Sequence, residues 1–343
     1  MGMVSHDPFQ LSGRYAELNK WEVVNGPGDL RPTGRQIVED EGLVGAMNDK
    51  VVLITGVSSG MGPETVRALA PTGATIFATA RNIDKARDAL GASLLDTGRV
   101  HLLFMDQADL SSVRACAAEF REKSAGKLNV LINNAGVMKT PESRTKDGFE
   151  LQFGTNHLSH FLLFYLLKDL LLASSTPEFY SRVVNVSSLG HRYGPVRFEN
   201  LNFEGEYEGW AAYGQSKTAN IYMATQIERL YGAQGLHGYS LNPGSFVSPN
   251  LQKFCREEME AAKSDERLTK YFVSLEQACA TSVYAAVSKE LEGKGGLYLE
   301  GASIAGPVPA DSDAIEYGYG EWAFDREKEE KLWEVSKELV GVE

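Results

Sequence analysis

The 343-residue chain predicts an α/β fold: one doubly wound domain, with a seven-stranded, mainly parallel sheet flanked by helices. Three observations predict it. Continuous apolar runs recur along the chain, the mark of strands covered on both faces. Segments with helical spacing fall between them, and that alternation builds a parallel sheet. A glycine-rich turn joins the first run to the first helical segment.

Taken in order, residues 1–48 form a polar leader punctuated by Asn25-Gly26-Pro27-Gly28 and Arg31-Pro32-Thr33-Gly34. Such a segment is expected to drape over the domain or to stay partly disordered. The domain proper is placed at 49–305. Its strands are expected at 51–55, 75–79, 100–105, 129–132, 182–186, 238–241 and 296–299, and its helices at 63–69, 86–90, 112–119, 149–172, 213–230 and 276–287. Residues 306–343 form a tail, in which Leu332, Val335 and Leu339 predict an amphipathic helix over 326–340.

The chain is 43% hydrophobic and 23% charged, ordinary for a globular protein with a sizeable core. Its formal net charge of −12 repels phosphate backbones and argues against nucleic acid as a partner. Cys116, Cys255 and Cys279 are odd in number and lack metal-ligand spacing, which fits a reducing, cytoplasmic setting and no structural metal. The most apolar stretch, 161–173, contains Lys168 and Asp169 and is too short to span a membrane. Its apolar strip predicts a buried helix that contributes to a homodimer interface.

The loop Thr55-Gly56-Val57-Ser58-Ser59-Gly60-Met61-Gly62 follows a strand and opens a helix, the setting of a Rossmann-type dinucleotide fingerprint. Gly56 suits the tight turn and Gly60 lets the backbone approach a pyrophosphate. Gly62 lets helix and strand pack closely, and Pro63 fits a first helical position. Free N–H groups at that helix end face the phosphates. After the second strand the chain reads Ala80-Arg81-Asn82. An acid there favours NAD, whereas Arg81 favours the 2′-phosphate of NADP.

In Tyr213-Gly214-Gln215-Ser216-Lys217, Tyr and Lys share one helix face. The ammonium is expected to stabilise the phenolate and lower its pKa towards the working range. Val183-Val184-Asn185-Val186-Ser187-Ser188 is a strand ending in two hydroxyls, one of which is placed to hydrogen-bond a carbonyl oxygen as charge develops on it.

These motifs, with Asn133-Asn134-Ala135-Gly136, resemble the short-chain dehydrogenase/reductase family over residues 50–300. Asn156-His157-Leu158-Ser159-His160-Phe161 and Lys331-Leu332-Trp333-Glu334-Val335-Ser336 are similar to its retinol dehydrogenase and WW-domain oxidoreductase branch. The resemblance implies NADP(H) as cofactor, bound by Gly56, Ser58, Ser59, Gly60, Met61, Arg81, Asn82, Asp106, Gln107, Asn133, Ala135, Gly136, Tyr213, Lys217, Pro243, Gly244, Phe246 and Ser248. It implies an adenine contact for Asp106 and a nicotinamide grip for 242–248, where Ser248 replaces the usual Thr. It also implies Tyr213 as general acid, Lys217 as its partner and ribose anchor, Ser188 ahead of Ser187 as the substrate hydroxyl, and Asn156 as the holder of a proton-relay water. His157 and His160 read as packing residues. The expected reaction is reduction of a ketone or aldehyde, reversible as alcohol oxidation. Two rivals are a nonredox epimerase, dehydratase or cyclisation catalyst in a biosynthetic tailoring pathway, and a catalytically silent nucleotide-binding protein. Tyr193, Phe198, Phe203, Tyr207 and Trp210, together with an amphipathic lid over 246–272, predict a large apolar pocket for a small-molecule substrate.

Overall fold

The computed structural model describes residues 11–308 and 316–343; the start of the leader and residues 309–315 of the tail lie outside the described residues. Among the described residues nine strands form one sheet: β1 (Leu11–Ser12), β2 (Val51–Thr55), β3 (Thr75–Ala80), β4 (Val100–Phe104), β5 (Val130–Asn133), β6 (Ser181–Val186), β7 (Leu236–Asn242), β8 (Leu297–Glu300) and β9 (Ser303–Ala305). Their order is β1-β9-β8-β7-β6-β5-β2-β3-β4. The seven expected strands are β2 to β8, all parallel. The two extra strands correct the expected count. β9 folds back antiparallel on β8, and β1 pairs antiparallel with β9. Neither carries a periodic signal, because they are three and two residues long.

Strand β2 shows why the sheet is continuous. All five residues are buried, and alternate side chains enter different cores: Val52 and Ile54 one, Val51 and Leu53 the other. Strand order reverses between β2 and β5, and a crevice opens there at the carboxyl ends of the strands.

The described part of the leader drapes over the domain and carries a helix of its own. Thr33 caps the Gly34–Asp40 helix by accepting from the Gln36 amide at 3.2 Å. That helix packs close to Cys279 and Ala68; a Cβ on Gly34 would lie 2.7 Å from the Cys279 sulfur.

The apolar helix Ser159–Ser174 is covered within the chain. Phe161, Leu162, Leu163, Phe164, Leu167 and Leu171 are fully buried. The tail helix Arg326–Val340 lays Leu332, Trp333 and Val340 into the same core, with the Trp333 ring 5.0 Å from Phe161 and 5.9 Å from Phe164. The apolarity that suggested a subunit interface is thus satisfied by the chain's own tail. Among the described residues no helix is long and apolar enough to cross a membrane.

Candidate active site

A cleft of 1180 Å³ runs across the carboxyl edge of the sheet. It exceeds the roughly 300–1,000 Å³ of a typical single-ligand pocket. One half is lined by the glycine loop and the ends of β3 and β4, the other by the Gly209–Tyr231 helix and the segment after β7.

In the first half, Gly56 crosses the switch point with φ of +78°, and a Cβ there would lie 2.8 Å from Ala135. A Cβ on Gly62 would sit 2.2 Å from the Gly56 carbonyl oxygen. The Met61–Leu69 helix has no side-chain cap at Gly60, so its first amides are left to meet an anion. Ser58, Ser59, Gly60 and Met61 line this groove, followed by Arg81, Asn82, Asp106 and Gln107. The Arg81 side chain is 73% exposed, with Asp106 3.9 Å away as its nearest acid. Lys85, in the first turn of the Ile83–Leu90 helix, also lines the groove, a cation that sequence reasoning missed. The available signal was its place in the first turn of the helix that follows Arg81. Asn82 is partly committed already, since its side chain accepts from the Lys85 amide at 2.8 Å. These uncapped amides, the glycine cradle and the two cations fit a phosphorylated dinucleotide.

Ala135 and Gly136 also line the cleft, but Asn133 does not. It is buried in the sheet, donating to Asn185 at 2.8 Å. Asn134 takes the wall position instead. It is tied to the glycine loop through bonds to the Thr55 and Gly56 carbonyls at 2.7 and 3.0 Å. Pro243, Gly244, Phe246 and Ser248 line the cleft after β7. Gln252 fixes this loop by accepting from the Ser248 amide and donating to the Phe246 carbonyl.

In the second half, Ser188, Tyr213 and Lys217 meet on one wall. Tyr213 is hydrogen-bonded to Ser188, which lowers its pKa, but burial dominates and pushes it up to about 12. This corrects the expected lowering by Lys217. The buried ammonium donates to the Val186 carbonyl at 3.0 Å and is itself pushed down to about 7. A phenol this buried rests as an acid at neutral pH. Both serines line the cleft, and their bonding separates them: Ser187 is buried and donates to the Lys217 carbonyl at 2.8 Å, whereas Ser188 accepts from the Gly190 amide at 3.0 Å and bonds to Tyr213.

Asn156 lies in a widened π-helical turn, Gly154–Leu158, fully buried and off the cleft wall. It accepts from the Val137 amide at 2.8 Å and donates to the Val137 carbonyl and to the Ser216 hydroxyl, both at 2.9 Å. The loop after β5 is thereby joined to the helix that carries Tyr213 and Lys217. His160 does more than pack. It bridges the Asn156 carbonyl and the Thr55 hydroxyl, each at 2.9 Å, and Thr55 accepts from the Asn134 and Ala135 amides. Burial holds His160 down to about 4, hence neutral, and a proton on Nδ1 satisfies both of its bonds. His157 is paired with Ser336 of the tail helix.

The lid is built from the loop after β7 and the helices Arg256–Ser264 and Glu266–Tyr271. Leu251, Phe254, Met259, Ala262, Leu268 and Tyr271 line the cleft, and Glu258 pairs with Lys139 on the opposite rim. Of the five expected aromatics, Tyr193 and Trp210 are on the wall. Phe203 and Phe198 join buried packing, and Tyr207 bonds to the Thr140 carbonyl. Nearness in sequence to Tyr213 did not distinguish these two groups.

Fold and site together define an oxidoreductase organised around a dinucleotide groove. Residues 50–259 match the family described as short chain dehydrogenase. The chain is 49% identical over 318 residues to the short-chain dehydrogenase/reductase prx1 of Penicillium roqueforti, covering 93% of each. It is 36% identical to retinol dehydrogenase 12 of Mus musculus, covering 86% of this chain and 87% of that one. A solved structure of an uncharacterised protein from Mycobacterium paratuberculosis aligns with a TM-score of 0.61 and 31% identity, over 86% of this chain and 94% of that one. The chain belongs to the short-chain dehydrogenase/reductase family, whose oxidoreductases use a nicotinamide cofactor.

Proposed function

We propose that this protein is an NADPH-dependent reductase of ketones or aldehydes on apolar small molecules, reversible as alcohol oxidation and suited to a tailoring step in a biosynthetic pathway. The observation that carries this reading is one cleft with cationic Arg81 and Lys85 at one end, the Ser188/Tyr213/Lys217 group in the other half and an apolar lid over it. Bound NADPH supplies the hydride. Arg81 and Lys85 hold its 2′-phosphate, the Met61–Leu69 helix end its pyrophosphate, Lys217 its ribose, and 243–248 its carboxamide edge. Ser188 donates a hydrogen bond to the substrate carbonyl oxygen, which becomes more negative as reduction proceeds. Tyr213, protonated at rest, then gives that oxygen its proton. Asn156 acts behind them by holding the Val137 loop against Ser216.

The lid wall supports an apolar substrate, and the murine relative's named substrate, retinol, is itself an apolar alcohol. Three buried free thiols support work in a reducing compartment. The test is NADPH and NADH oxidation across a carbonyl panel from small polar to long-chain and polycyclic compounds. Higher specificity constants with NADPH and with the apolar members are expected. NADPH binding without oxidation of any member would move the assignment to a nonredox role.

A further inference from the structure

The leader contributes Asn19, Arg31 and Pro32 to the wall of the cleft. Arg31 is only 5% exposed. Its guanidinium pairs with buried Asp29 at 2.8 Å. The same group donates to the carbonyls of Tyr271 at 2.9 Å, Phe272 at 2.6 Å and Lys270 at 3.3 Å. Those three carbonyls end the second lid helix, Glu266–Tyr271, where the helix leaves its last acceptors unsatisfied. The attachment continues beyond them. Phe272 pairs with Ser245 in an isolated bridge, and the Val273 amide donates to the Ser245 carbonyl at 2.8 Å. Ser245 belongs to the loop after β7 that lines the cleft. Gln277 secures the clamp from behind, donating to the Asp29 and Arg31 carbonyls at 3.2 and 3.0 Å.

We propose that Arg31 is a positioning residue for substrate: it latches the C-terminal root of the lid to the leader and so sets the lid's distance from the 243–248 loop. The assignment rests on the reductase reading for its kinetic readout alone. A planar fork can reach an acid and three carbonyls at once, and a lysine ammonium cannot cover that set. Arg31→Lys therefore keeps the charge beside Asp29 and loses the lid. Asp29→Asn/Arg31→Met removes both charges together, so that no buried ion is left alone.

The experiment compares the full chain and both variants in three measurements. These are NADPH binding by fluorescence titration, steady-state reduction of decanal, and trypsin cleavage within 253–270, which contains Lys253, Arg256, Lys263, Arg267 and Lys270. Both variants are expected to raise KM for decanal by about tenfold, with kcat within threefold and NADPH affinity within twofold, and to speed cleavage of this segment about tenfold. KM and lid cleavage within twofold of the parent in both variants overturn the proposal. So does a parallel loss of NADPH affinity and kcat, which makes Arg31 a support of the whole domain. A parent that binds NADPH and leaves decanal unreduced counts against the reductase reading, and lid cleavage alone then decides the latch.

Discussion

Replacing each of the two serines at the end of β6 separates catalysis from support within one dipeptide. Ser188 faces the cleft and bonds to Tyr213. Ser188→Ala removes a hydrogen bond that strengthens as the carbonyl oxygen becomes negative. One lost donor of this kind costs about 2.7–4 kcal/mol, or roughly 10²- to 10³-fold in kcat. Folding loses the bonds to the Gly190 amide and to Tyr213, worth about 1 kcal/mol each, so Tm should fall by about 1–3 °C. Ser187 is buried and donates backwards to the Lys217 carbonyl. Ser187→Ala loses one internal hydrogen bond, worth about 1 kcal/mol. With an unfolding entropy of about 2.1 cal/mol/K per residue, that lowers Tm by about 1–2 °C. Turnover should stay within a fewfold of the parent. The assay pairs NADPH oxidation at saturating carbonyl with a thermal melt of each variant. Ser187→Ala with the larger loss of kcat would refute the assignment.

If Arg81 holds the 2′-phosphate as proposed, Arg81→Ala should cost about 1.5–3 kcal/mol of NADPH binding, roughly 10- to 150-fold, and leave NADH within twofold. Fluorescence titration checks this, and equal losses for both cofactors would make Arg81 an unspecific cation. Trp333→Ala should cost about 3–5 kcal/mol, or about 4–7 °C in Tm, because the ring fills the seam between the tail helix and Phe161 and Phe164. Deleting the helix should make the protein self-associate in light scattering; a monodisperse monomer would contradict that. Lys217 titrates near 7 when folded and at 10.5 in the ordinary case. Between these values the unfolded chain binds the extra proton, so this group makes stability rise with pH, by up to about 1.4 kcal/mol per unit. Tm of the cofactor-free parent should therefore gain on Lys217→Met from pH 7 to 9.5, and parallel curves would show that the lysine is not desolvated.

The parallel strands were legible because burial on both faces leaves an unbroken apolar run, as in Val51–Thr55. Tyr213, Lys217 and the glycine loop were legible because their spacing is local. What escaped depends on partners remote in sequence. Nothing near Leu11 announces Ala305 as its neighbour, and nothing near Arg31 announces the carbonyls at 270–272. His160 read as packing because its role is set by Thr55, 105 positions away. The pKa direction of Tyr213 escaped for another reason. Helix spacing brings Lys217 near, but desolvation is a property of everything else around the ring.

The pairing of the leader with the latest-made part of the domain has a consequence for biogenesis. Arg31 meets Phe272 across 241 positions, Asn19 meets Gly301 across 282, and β1 completes the sheet only on β9. The residues from Leu11 to Arg31 therefore wait for those from Phe272 to Ala305 before these contacts exist. Closing loops of that length is slow, and it leaves Leu11 and Tyr15 without their late partners Ala305 and Tyr284 meanwhile. The substrate chamber is sealed only once residues 270–305 have joined the fold, so a chain that stops before them carries the cofactor loop without a competent pocket.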